Sequence, residues 1–68
     1  MTFDWDSTFA IAMELRRRHP DADLEGVTLG QVFRWTTELP EFADEPNVCN
    51  DDILAAIYQE WYEVTLHD

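Results

Sequence analysis

A single cysteine in a 68-residue chain leaves side-chain packing as the only force that can hold a fold together. With Cys49 alone, no internal disulfide forms and no thiolate cluster gathers zinc. A chain this short hides only roughly 60% of the surface that its unfolded form exposes. Its core must therefore be rich in large side chains, and the composition meets that need with 46% apolar residues, among them three Trp, four Phe and two Tyr. Trp5, Trp35 and Trp61 are read as core. One domain over residues 1–68 is expected, too small for a deep interdomain cleft.

The pattern predicts three helices. Asp6, Ser7 and Thr8 offer N-caps for a first one, carried by Phe9, Ile11, Ala12, Met13 and Leu15 and stopped at His19-Pro20. Within it, Glu14 can meet Arg17 and Arg18 three and four residues on. Thr28 opens a second helix, with Gln31 at the capping-box position and Pro40 at its end. Asn50 caps a third, whose Ile53, Leu54, Ile57 and Trp61 form a buried stripe, and Asp51 and Asp52 suit the dipole of its first turn. Between the second and third helices the chain is irregular, bracketed by Pro40 and Pro46. Thr2-Phe3-Asp4-Trp5 is expected to pair with Gly26-Val27-Thr28 as a short two-stranded edge. The expected class is mainly α, a small three-helix domain resembling a modified winged helix with reduced wings.

Charge narrows the partners. Fifteen Asp and Glu stand against four Arg and no Lys, a net of −11. Counterion release at a nucleic-acid backbone needs Lys and Arg, so a nucleic-acid partner is excluded. Residues 1–18 are neutral overall, with Arg16, Arg17 and Arg18 forming ion pairs at the end of the first helix. Residues 19–68 carry the whole excess. Its densest window runs from Glu38 through Glu41, Asp44 and Glu45 to Asp51 and Asp52, and Asp21, Asp23 and Glu25 form a smaller group. A solvated acidic face is the plain reading. Mutual repulsion in a small domain, and the crowding of acids at loop and helix ends, favour a basic partner or a cation instead.

Catalytic patterns are missing. Ser7 is the only serine and neither histidine lies near it in sequence, so a nucleophile–base pair has no basis. There is no P-loop, no G-x-G-x-x-G and no EF-hand spacing. Asp6-Ser7 has the dipeptide of an acyl carrier but no helix before it to pack against. A metal site from His19, His67 and Cys49 would need a coincidence of folding, so any bound metal would be taken by carboxylate oxygens, weakly. Cys49 reads as a small filler beside the Asn50 cap. No charged-then-apolar leader follows Met1 and no apolar run nears the ~20 residues of a membrane span, so a cytoplasmic protein without a membrane partner is expected.

The run Leu39-Pro40-Glu41-Phe42-Ala43-Asp44-Glu45-Pro46, with Asn50, Ile53-Leu54, Ala56-Ile57 and Trp61, resembles the IscX family of small acidic proteins of bacterial iron–sulfur cluster assembly. Trp5, Pro20-Asp21 and Trp35 fit the same pattern, and the likeness spans residues 3–63. It implies a modified winged-helix-like fold, no enzyme activity, weak binding of iron, expected ferrous, through exposed carboxylates, and docking on a cysteine desulfurase as adaptor or regulator. Carried over, the matching acids are Asp44 and Glu45, with Asp21 and Asp23.

The expected metal-binding residues are therefore Asp44, Glu45, Glu41, Asp51, Asp52, Asp21 and Asp23. The expected partner-binding residues are Glu38, Glu41, Asp44, Glu45, Asp21, Asp23 and Glu25. A monomer is expected. The alternative function is an acidic decoy, an interaction domain that occupies the basic face of a nucleic-acid-binding regulator. Neutralising Asp44 and Glu45 together is expected to weaken iron binding and to leave stability equal or higher.

Overall fold

A computed structural model describes residues 2–66, in the order α1 (Thr8–Arg18), a 3₁₀ turn (Leu24–Gly26), α2 (Leu29–Thr37), a second 3₁₀ turn (Pro46–Val48) and α3 (Asp51–Leu66). His67 lies outside the described residues. The mainly-α class holds. Among the described residues the only extended pairing is one isolated bridge, so a β-hairpin wing has no counterpart there.

Two of the three helices, α2 and α3, start where side chains answer the free N–H groups of a first turn. At α2 the capping box is complete: the Gln31 N–H donates to Thr28 Oγ1 at 3.2 Å, and the Thr28 N–H donates to Gln31 Oε1 at 3.0 Å. At α3 the Ile53 N–H donates to Asn50 Oδ1 at 2.9 Å. Ser7 occupies the N-cap of α1 but gives no side-chain cap. Asp4 shapes that entry, its Oδ1 accepting from the Asp6 N–H and the Ser7 hydroxyl, both at 3.0 Å. The helix ends at His19, whose N–H reaches the Leu15 carbonyl at 2.8 Å, directly before Pro20.

α1 packs chiefly against α3, and α2 also rests on α3. Ile11, Ala12 and Leu15 from α1, Val32 from α2, and Leu54, Ile57 and Trp61 from α3 meet in one core with Phe3, Trp5, Leu24 and Leu39. Trp61 is 2% exposed, so its truncation would cost roughly 3–5 kcal/mol, a large part of what a domain this size holds. Trp35 packs against this core from its edge. It stays half-buried, stacked on His19 with centroids 4.5 Å apart and edge-on to Trp61 at 5.9 Å. Tyr58 hydroxyl donates to the Leu24 carbonyl at 2.8 Å, which ties the first connection to α3.

The expected edge pairing is corrected. Phe3 pairs in parallel with Phe42, not with Gly26-Val27-Thr28: the Phe3 N–H donates to the Glu41 carbonyl at 2.8 Å and the Ala43 N–H donates to the Phe3 carbonyl at 2.9 Å. Gly26 belongs to the 3₁₀ turn and Thr28 to the α2 cap, so neither has backbone to spare for a strand.

Candidate functional site

The acidic window is fixed to the start of the chain by Trp5. Its backbone N–H donates to Asp44 Oδ2 at 3.1 Å, and its indole Nε1–H donates to the Glu45 carbonyl at 2.8 Å. The other oxygen of Asp44, Oδ1, accepts the Glu45 N–H at 2.7 Å. The Trp5 ring is buried edge-on to Phe42 at 4.6 Å and stacked toward Phe33 at 5.9 Å. Asp44 is thus a staple. Both of its oxygens are committed to main-chain N–H groups, and charge-assisted bonds of that kind are the stronger ones.

The other acids divide by what they touch. Glu41 pairs with Arg18 at 3.3 Å, joining the window to the end of α1. Glu38, at the C-cap of α2, pairs with Arg34 one turn before it at 3.5 Å, with both side chains largely in water. Asp23 accepts from the Glu25 N–H at 3.2 Å and so starts the first 3₁₀ turn. Glu45, Asp51 and Asp52 are exposed, as are Asp21 and Glu25. Asp51 and Asp52 sit in the first turn of α3, where the helix dipole stabilises negative charge.

These placements do not make a preformed cation cage. Among the described residues, no group of three or more His, Cys, Asp or Glu side chains is arranged to hold a metal ion. Asp44 is occupied by backbone, Glu41 by an arginine, and Asp23 by its own turn, so the expected donor set is dispersed. His19 and Cys49 likewise form no such group.

The basic run behaves as its spacing indicates. Glu14 receives Arg17 and, at 2.8 Å, Arg18. The Arg17 hydrogen bond is the main cause that holds the Glu14 carboxyl below its usual range, with burial opposing and the Arg18 hydrogen bond assisting. Cys49 is half-buried against the core, and burial, with Asp51 beside it, pushes its thiol up and away from the reactive thiolate form.

Among the features not visible in the sequence are two on this surface. Glu41 and Arg18 stand 23 positions apart, a separation with no local signal. Val48, 60% exposed, is an apolar side chain set among the acids of residues 38–52. It closes the Pro-led 3₁₀ turn Pro46–Val48, none of whose three residues is buried.

Residues 3–65 match the family described as iron–sulphur cluster assembly. A relative in Pseudomonas aeruginosa, "Uncharacterized protein PA3808", is 35% identical over 63 residues, covering 93% of this chain and 96% of the relative. No helix among the described residues is long and apolar enough to cross a membrane.

Proposed function

This chain belongs to the iron–sulphur cluster assembly family, and from that premise we propose that it is a non-enzymatic cytoplasmic adaptor whose acidic surface docks on a basic face of a cysteine desulfurase. One observation carries the reading. Glu45, Asp51 and Asp52 stand exposed on a segment that Trp5 and Asp44 fix in place, so the charge is presented on a defined surface. A charge of −11 on so small a body steers association with a basic partner. Val48 supplies an apolar contact amid that charge, as interface centres commonly have.

Iron enters this reading only as cargo. The carboxylates left unengaged by backbone or arginine are hard oxygen donors without a thiolate, which suits a weakly held, largely hydrated ferrous ion in competition with other divalent cations. The family match weighs for assembly over the decoy. Capture from an extract of the native host, using the intact chain as bait, separates the two. Recovery of a cysteine desulfurase supports the adaptor. Recovery of a DNA-binding regulator without the desulfurase favours the decoy and overturns it.

A further inference from the structure

Ala55, Tyr58, Tyr62 and Leu66 recur three or four residues apart along α3 and share one side of it, next to the stripe of Leu54, Ile57 and Trp61 that enters the core. That side is open to water: Tyr62 is 38% and Leu66 66% exposed, Ala55 is exposed, and Tyr58 is half-buried. The two tyrosine rings stand 6.3 Å apart. The Tyr58 hydroxyl donates to the Leu24 carbonyl at 2.8 Å, which holds the Leu24–Gly26 turn against the helix. This bond brings Asp23 and Glu25, the chain neighbours of Leu24, to the edge of the strip. Both are exposed, as is Asp21. Among the described residues no ion pair engages these three acids; the pairs of Arg17, Arg18 and Arg34 go to Glu14, Glu41 and Glu38. An aromatic helix side edged by carboxylates without counter-charge is chemically unlike the rest of the surface, and it has no cover of its own.

We propose that this side of α3 is a docking strip for an arginine-bearing segment of a partner protein, with a guanidinium lying on the Tyr62 ring and Asp21, Asp23 and Glu25 flanking it. Charge complementarity selects that occupant. An acidic segment is repelled, and a second copy of this chain would bring the same three carboxylates against its own. Arginine suits the strip better than lysine, because its planar, weakly hydrated guanidinium stacks on an aromatic face while its edge still donates to carboxylates. Leu66 and Ala55 take apolar side chains that alternate with the arginines. At the helical rise the distance from Ala55 to Leu66 is about 16 Å, the span of about five extended residues. The strip is read out on residues other than Glu45, Asp51 and Asp52, so its failure leaves desulfurase docking through those acids standing, and the reverse.

Titration of the intact chain at low salt with a capped Arg-Leu-Arg-Leu-Arg peptide, and in parallel with Lys in place of Arg, tests this, with backbone amide signals followed by NMR. Saturable shifts are expected over residues 21–25 and 55–66 with the Arg peptide, and the Lys peptide should bind there about threefold more weakly or worse. Tyr62→Ala should weaken the Arg peptide about fivefold or more, whereas Tyr62→Phe, which keeps the ring, should cost about twofold or less. Asp21→Asn combined with Glu25→Gln alters two exposed side chains outside the core, so it should keep the native amide pattern and still weaken the peptide about fivefold. Shifts confined to residues 38–52, equal binding of the two peptides on the strip, or unchanged affinity in either the Tyr62→Ala or the doubly neutralised variant would overturn it.

Discussion

Trp5 and Asp44, 39 positions apart, are joined by a backbone N–H to carboxylate bond of 3.1 Å, and the Trp5 indole closes the loop on the Glu45 carbonyl at 2.8 Å. The consequence is a division of labour between adjacent acids. Asp44 holds the segment and Glu45 faces solvent. Replacing Asp44 by Ala strands the N–H groups of Trp5 and Glu45 and should cost roughly 1–3 kcal/mol. Glu45→Gln should leave the melting temperature equal or slightly higher, because it removes only repulsive charge. Asp44→Asn with Glu45→Gln, expected from the sequence to leave stability equal or higher, keeps one acceptor oxygen where Asp44 offers two. Thermal unfolding of the two single variants checks this, with the Trp5 indole signal reporting whether the staple has opened.

Much of this arrangement was readable from local pattern, because capping and ion pairing act over three or four residues. Thr28 with Gln31, Asn50 with Ile53, and Glu14 with Arg17 and Arg18 are contacts of that range. The Phe3–Phe42 bridge and the Trp5–Asp44 staple were not readable, since extended residues at the start of a chain do not specify which distant backbone they will meet. The acids suffered the same limit. Their crowding in sequence suggested convergence on one ion, whereas the fold turns Asp44 to backbone and Glu41 to Arg18.

Thr36 offers a gain in stability. It is fully buried on α2, and among the described residues its Oγ1 has no hydrogen-bond partner. Thr36→Val keeps the shape and removes the unpaired hydroxyl, so it should stabilise the fold by up to about 1 kcal/mol. Urea unfolding of both proteins measures the difference. A clear loss would mean that the hydroxyl is satisfied in solution.

Glu14 sets an acid-dependent contribution. Its folded carboxyl is held low, first by the Arg17 hydrogen bond, so its stabilising effect is complete above the unfolded value of about 4.3 and is lost as pH falls through the lower folded value. The gap in melting temperature between the native chain and Glu14→Gln should stay constant from neutral pH to about pH 5. It should close on further acidification. A gap independent of pH down to about pH 3 would contradict the pairing.

Ferrous iron should find no single site. Under anaerobic titration, broadening of amide signals should spread over Glu45, Asp51 and Asp52 and be reversed by excess magnesium, as expected of dispersed hard-oxygen donors. Neutralising those three acids should remove most of the effect. Broadening confined to Asp21, Asp23 and Glu25, and resistant to magnesium, would place the ion at the first connection.

Charge-driven docking on a cysteine desulfurase is tested most directly by titrating the chain against the purified desulfurase of the same organism across a range of salt. Screening shortens from ~10 Å at 0.1 M to ~3 Å at 1 M, so affinity should fall by more than about tenfold over that range, mainly through slower association. A variant with Glu45, Asp51 and Asp52 neutralised should bind weakly at low salt and lose most of the salt dependence. A dissociation constant unchanged by salt, or no binding at low salt, would contradict the account.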